Sequence, residues 1–252
     1  MSDFAAEDET EVSGPGKGSA AKGVQKQIEK FMAAAHGVHP RTCPACGKTG
    51  RFTVFGTPPR FDARCKACAA LERHRLFALM IQRRGDFGAG QTVLHFAPER
   101  QLGQMIRARV KAYETADIGP MMKVTHRIDI EATGLPDAQY DRIVCNHVIE
   151  HVDDRKALAE MFRMLKPGGK AFLMTTVVEG WDETYEDAAV TGEGPRNLHF
   201  GQGDHLRIYG RDIRDRIRAA GFTLEEFVAV EPDVRTYGLI RGERVFIATR
   251  PV

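Results

Sequence analysis

The spacing of apolar and polar positions changes character near residue 92. Beyond it, short apolar runs recur at 92–96 (TVLHF), about 110–116 (VKAYETA), 124–129 (VTHRID), 141–145 (DRIVC), 170–177 (KAFLMTTV), 222–230 and 244–249. Their length and β-branched content predict strands. Helical spacing fills three of the intervals, at 101–109, 154–165 and 211–220. The clearest is 154–165, where Leu158, Met161, Phe162 and Leu165 repeat at i, i+3, i+4 and i+7 before Lys166-Pro167-Gly168-Gly169 stops the helix. Strands alternating with helices imply crossover connections and a mainly parallel sheet, so the expected class is α/β.

Upstream the pattern is different. Residues 1–23 are rich in Ala, Gly, Ser, Glu and Lys and read as a flexible tail. Residues 24–36 can form a short helix with Val24, Ile28, Phe31 and Met32 near one face. A helix with an apolar centre is expected over 71–84, broken by Gly85, Gly88 and Gly90. Three units follow: a tail at 1–23, an N-terminal module with its linking helix at 24–84, and a main domain at 85–252.

Composition narrows the function without deciding it. A chain of 252 residues can hold one catalytic domain plus a small accessory unit. The 36 basic and 34 acidic residues nearly balance, so nothing demands a nucleic acid or an anionic membrane. No apolar run approaches the roughly 18–20 residues that cross a bilayer. The opening MSDFAAEDETE lacks the features of a signal peptide, and the expected location is the cytoplasm.

Four of the five cysteines form two Cys-x-x-Cys pairs, Cys43/Cys46 and Cys65/Cys68, separated by 18 residues. In a reducing compartment this pattern reads as metal binding. Two tight turns joined by a hairpin present four thiolates to one centre, which suits structural zinc; spacing alone leaves an iron–sulfur cluster open. Four sulfurs leave no open coordination position, so a Lewis-acid role is not expected. Residues 41–75 carry eight Lys or Arg against two acids. That excess either offsets the charge of a zinc tetrathiolate or contacts nucleic acid.

Three motifs of the main domain carry a resemblance: Leu94-His95-Phe96-Ala97-Pro98-Glu99, the run from Asp141 through Cys145-Asn146-His147 to Glu150-His151-Val152, and Leu165-Lys166-Pro167-Gly168-Gly169. Together they resemble a class I, type 11-like S-adenosylmethionine-dependent methyltransferase, with the four-cysteine zinc module on its N-terminal side. The resemblance covers about 92–249 and implies a Rossmann-like sheet. It departs at the first turn, where Ala97–Gly103 replaces the usual Gly-x-Gly-x-Gly. A dinucleotide fingerprint is therefore missing, which counts against NAD.

The resemblance implies a cofactor site beyond the strand ends, at Phe96, Ala97, Glu99, Asp117, Asp129, Ile130, Asn146 and His147. Asp117 takes the position that binds the ribose hydroxyls, with a loop cap as the plainer alternative. Asp129 meets the adenine amino group and Ile130 packs on the ring. Glu99 either holds the cofactor's ammonium group or faces solvent at a helix start. Asn146 and His147 line the methionine part.

The family places its acceptor-binding insert after the fifth strand, here about 178–209. Trp181, Tyr185, Arg207 and Tyr209 lie in it and, with His151, are candidate substrate contacts. His205 is the first candidate base, because an imidazole suits proton removal near neutrality. Asp204 would orient it, and His199 is a second base. The expected function is methyl transfer to an O, N or S nucleophile of a small molecule, such as a sugar or natural-product intermediate. The alternatives are an RNA methyltransferase that uses the zinc module as a clamp, and a non-catalytic, zinc-organised binding protein.

Overall fold

The computed structural model describes Gly23, Val24, residues 26–28, 30, 31, 37, 39–56 and 58–252. The expected tail lies, apart from Gly23, outside the described residues. Of the helix expected over 24–36, Val24, Ile28 and Phe31 are helical and exposed, and Met32 lies outside the described residues.

Two small hairpins carry the cysteines. β1 (Arg41–Thr42) pairs with β2 (Thr49–Gly50), and β3 (Thr53–Phe55) with β4 (Arg60–Arg64), both antiparallel. Each Cys-x-x-Cys turn closes on its first carbonyl. Gly47 donates to the Cys43 oxygen at 2.7 Å and Ala69 to the Cys65 oxygen at 2.8 Å. Closure needs a left-handed residue, and Gly47 (φ 72°) and Ala69 (φ 62°) supply it. Glycine does so freely, whereas Ala69 carries a Cβ penalty.

α1 (Glu72–Arg84) begins where Leu71 donates its amide to His74 Nδ1 at 3.2 Å, and ends at left-handed Gly85. Leu76, Phe77, Met80 and Ile81 are buried in one core with Val144, Phe172 and Val245 of the sheet. Phe77 meets Phe172 edge-on, with ring centroids 6.0 Å apart. The linking helix is therefore part of the main core and not a spacer.

A seven-stranded sheet follows. Its strands are β5 (Thr92–Phe96), β6 (Ala112–Asp117), β7 (His126–Arg127), β8 (Tyr140–Asn146), β9 (Leu165–Met174), β12 (Thr223–Val228) and β13 (Arg244–Thr249). The spatial order is β12-β13-β9-β8-β5-β6-β7. β9, β8, β5, β6 and β7 are parallel; at one edge β13 runs antiparallel to β9, and β12 antiparallel to β13. The fold class is α/β and Rossmann-like, as the motifs imply. The order reverses between β5 and β8, so a crevice opens above their C-terminal ends.

α2 (Arg100–Arg107) connects β5 to β6, and α3 (Asp154–Met164) connects β8 to β9. Asp153 caps α3 by accepting from the Arg155 and Lys156 amides. The helix stops one residue before the expected limit. Leu165 keeps its place in the core but already belongs to β9, because Pro167 cannot donate the amide that another turn requires. The expected insert over 178–209 holds a two-stranded ribbon, β10 (Tyr185–Glu186) with β11 (Arg207–Ile208), and a helix between them, α4 (Glu193–Phe200). α5 (Ile213–Ala219) and α6 (Asp233–Tyr237) complete the chain.

Arg75 fastens the N-terminal hairpins to this domain. It is fully buried. Its guanidinium donates to Ala63 O and Ala70 O at 2.8 Å and to Asp62 O at 2.9 Å on the cysteine side. It also donates to Tyr237 O at 2.8 Å and to Gly238 O on the domain side. Its face lies 4.5 Å from the Phe52 ring centroid.

Candidate active site

Above the ends of β5, β6 and β7 lies a cleft lined by Phe96, Ala97, Ala116, Asp117, Ile118, Ile128, Asp129, Ile130, Val148 and Val152. Five of the eight expected cofactor residues meet there: Phe96, Ala97, Asp117, Asp129 and Ile130. Ala97 turns the chain out of β5 with φ 45°, a left-handed conformation that favours glycine, while its amide bonds Ala116 O at 2.9 Å. The unusual sequence therefore still makes a tight left-handed turn.

Both acids are half tied. One oxygen of Asp117 accepts the Gly119 amide at 2.6 Å, and one oxygen of Asp129 accepts the Glu131 amide at 2.9 Å. These bonds fix each carboxylate and leave its second oxygen for a ligand. The loop-cap and ligand readings of Asp117 are thus compatible.

The other three expected cofactor residues lie elsewhere on the same face. Glu99 makes no cap bond to its helix and turns inward. It meets His95 Nε2 at 2.8 Å and accepts from Asn146 Nδ2 at 3.2 Å. Burial alone would raise its pKa, but the hydrogen bond and charge of His95, with further help from His74, hold it below the ordinary carboxylate range. The solvent-facing reading of Glu99 is therefore set aside. Asn146 is buried with its Oδ1 unpartnered. His147 has φ 52°, a strained value for a side chain of that size. Its Nδ1 lies 3.0 Å from Glu150 Oε1, and its Nε2 is buried without a partner.

His147 opens onto a second cleft with Thr175, Thr176, Val177, Glu179 and residues 240–244. Thr175 Oγ1 and Glu243 Oε2 are buried and unpartnered here. Burial pushes Glu243 up to about 7. Orphaned buried polar atoms are costly, and the convergence of three of them in one cleft makes it a candidate ligand site. Sequence reading missed Thr175, Glu243 and Glu150. Thr175 and Glu243 lie outside the motifs, and Glu150 stands in the motif after β8 without an assigned contact; His147 joins them, lining the cleft and meeting Glu150.

The expected catalytic group is arranged differently from its sequence reading. Asp204 lies 3.3 Å from His151 Nδ1, so it orients His151 and not His205. His205 donates Nδ1–H to Phe200 O at 3.2 Å, and its ring stands edge-on to His151 with centroids 4.6 Å apart. His199 is exposed on α4 and lies 2.6 Å from the Tyr185 hydroxyl, in an aromatic patch with Trp181. Arg207 and Tyr209 are buried struts. Arg207 binds Ile149 O, Val152 O and Glu186, while the Tyr209 hydroxyl bonds Ile149 O and Asp154. Their polar atoms serve the turn after β8, which removes the expected acceptor contact from both.

The four cysteine sulfurs lie within 4.8 Å of one another. Cys43 and Cys68 are 3.7 Å apart, and Cys46 and Cys65 are 3.9 Å apart. A tetrahedral zinc at a Zn–S distance near 2.3 Å sets sulfur–sulfur edges of about 3.8 Å. The donor set and spacing therefore fit a closed metal site.

Residues 87–173 match a family described as a methyltransferase domain. No curated protein matches the chain. Among solved structures, a chain from the complex between the Haloferax volcanii Trm112 methyltransferase activator and a protein designated a methyltransferase aligns at 16% identity. It covers 71% of this chain and 91% of that one, with a TM-score of 0.52. The [4+2]-cyclase SpnF aligns at 15% identity over 75% of this chain and 86% of its own, with a TM-score of 0.51. These likenesses concern the fold alone, and a neighbour designated a cyclase shows why fold does not settle chemistry. The family match supplies what the fold does not, a likeness of residues 87–173, about a third of the chain, to a methyltransferase domain.

Proposed function

We propose that the protein transfers a methyl group from S-adenosylmethionine to an O, N or S nucleophile of a small molecule, with the acceptor above β8 and β9. The observation that carries the cofactor's placement is the pair of half-tied carboxylates, Asp117 and Asp129, facing one apolar cleft at the switch point. The free oxygen of Asp117 binds the ribose hydroxyls, that of Asp129 takes the adenine amino group, and Ile130 and Phe96 cover the ring. Glu99, held by His95 and Asn146, supplies negative charge for the cofactor's ammonium group.

Bound S-adenosylmethionine supplies an electrophilic methyl whose carbon–sulfur bond breaks as the acceptor bond forms, leaving a neutral thioether. The chain aligns the acceptor in the cleft of His147, Thr175 and Glu243. Glu243, with a pKa near 7, takes the acceptor's proton. The four cysteines hold a structural zinc. No helix among the described residues is long and apolar enough to cross a membrane.

Titration calorimetry with S-adenosylhomocysteine tests the cofactor site. Asp129→Ala and Asp117→Ala should each weaken binding by about 10-fold or more, the scale of a lost charge-assisted hydrogen bond. Unchanged affinity in both variants would place the cofactor elsewhere.

A second reading, an RNA acceptor, is favoured by one feature: exposed Lys48, Arg51, Arg64 and Lys66 on the cysteine module. RNA affinity that falls steeply with salt, and less steeply after Lys48→Ala/Arg51→Ala, would support it; absence of RNA binding at low salt removes it.

A further inference from the structure

The turn after β8 and the loop before β11 bring Glu150, His151 and His205 together, with one ligand atom from each lying within 4.8 Å of the others. We propose that these three side chains form a second metal site, a two-histidine, one-carboxylate set for a divalent first-row cation, separate from the four cysteines.

Each side chain is prepared by a neighbour. Phe200 O can only accept, so the His205 bond at 3.2 Å places the proton on Nδ1 and leaves Nε2 bare. His151 Nδ1 lies 3.3 Å from the Asp204 carboxylate. A carboxylate or carbonyl behind a ligating imidazole is the usual outer partner of a metal histidine. Glu150 is 2% exposed; its Oε1 is held by His147 Nδ1 at 3.0 Å, and its Oε2 is buried with no partner. A carboxylate oxygen left bare at that depth calls for a cation or a donor. The backbone fixes the set as well, since the Leu206 amide donates to Glu150 O at 2.9 Å and ties the two loops together.

Three protein ligands leave open positions, unlike the four-sulfur cluster. Val148 and Val152, which flank the 3₁₀ turn Ile149–His151, line the proposed cofactor cleft. An ion here borders that cleft and, through Glu150, the ring of His147 in the acceptor cleft, so it can hold an oxygen or nitrogen of the acceptor. That role rests on the methyl-transfer reading, whereas the site itself does not. Its test therefore uses no acceptor and no turnover.

The experiment titrates Mn²⁺ into the full chain with its four-cysteine site loaded with zinc, and follows free Mn²⁺ by electron paramagnetic resonance. Oxygen and nitrogen ligands suit Mn²⁺ and thiolates do not, so the cysteines should keep their zinc. The expected result is one saturable Mn²⁺ per chain with zinc content unchanged. Glu150→Gln and His151→Gln/His205→Gln should each abolish it, while Asp204→Asn, which spares the ligands, should weaken it 10- to 100-fold. S-adenosylhomocysteine binding by the same proteins reports folding and the cofactor site independently. If a variant does not fold, the wild-type answers through NMR: Mn²⁺ must broaden the His151 and His205 ring signals at low occupancy. No saturable site below the millimolar range, or broadening centred elsewhere, overturns the proposal.

Discussion

Removing metal from the four-cysteine cluster, or making Cys65→Ser/Cys68→Ser, is expected to unfold residues 41–70 and lower the melting temperature by roughly 10 °C or more. The buried core of this segment is small: its buried apolar residues are Cys43, Phe52, Val54, Ala63, Cys65 and Ala70. So few side chains cannot offset the entropy of ordering some 30 residues, and the ion must supply the balance. The loss would not stay local. Three of the five carbonyls around Arg75 belong to the hairpins, at Asp62, Ala63 and Ala70. Their departure leaves a buried guanidinium underpaired, a cost of several kcal/mol. The other two carbonyls, Tyr237 and Gly238, lead into the loop that carries Glu243. Methyl transfer should therefore fail along with the module, while S-adenosylhomocysteine, held by β5, β6 and β7, still binds. Circular dichroism with a zinc-release assay checks the first part, and calorimetry the second. A melting temperature that does not respond to chelation after measured zinc release would refute this account.

The same coupling shows what the amino-acid sequence could disclose. Features set by local chemistry were legible. Cys43, Cys46, Cys65 and Cys68 announce themselves by spacing, and they converge. Asp117 and Asp129 are legible because acids at the ends of apolar strands have few structural reasons to be there, and both reach one cleft. The strands over 92–96 and 244–249 fall at their expected limits because each is a short, continuously buried run with well-marked ends. Features set by distant partners were not legible. Arg207 and Tyr209 look like acceptor contacts, yet carbonyls some 55 to 60 residues earlier in the chain occupy them. Asp204 lies beside His205 in the sequence but orients His151, because the loop turns its carboxylate toward the 3₁₀ turn. The antiparallel edge was hidden too, since an apolar strand reads the same in either direction. Arg75 reads as one more surface cation on a basic helix, and its burial depends on carbonyls from two separate parts of the chain.

Glu243 is the residue for which a stability measurement and a rate should move in opposite directions. Burial raises its pKa to about 7; His147 opposes that rise, Glu72 adds to it, and Arg73 and Arg75 oppose it. Arg60, paired with Glu72 at 2.9 Å, is a further cation in its field. An unfolded glutamate titrates near 4.3. Between that value and about 7 the folded chain therefore holds a proton that the unfolded chain has lost, and folding stability falls as pH rises through this window. Above about 7 both states are ionised and the penalty is complete. Glu243→Gln removes the charge but keeps the shape, so it should raise the melting temperature at pH 8 and change it little at pH 4. The same substitution should lower methyl transfer by about 100-fold or more, the usual contribution of a general base. Wild-type turnover should climb with pH through about 7 as the carboxylate forms, and the variant should lose that limb. Acceptors for this assay come from a screen for S-adenosylhomocysteine release. A Gln variant that is more stable yet equally active would leave Glu243 a buried liability without a catalytic role. One that is both less stable and inactive would make it a structural group. Only a gain in stability with a loss of the pH-dependent rate fits a carboxylate held out of water for proton transfer, since natural sites give up stability where function requires a group that packing alone would not choose.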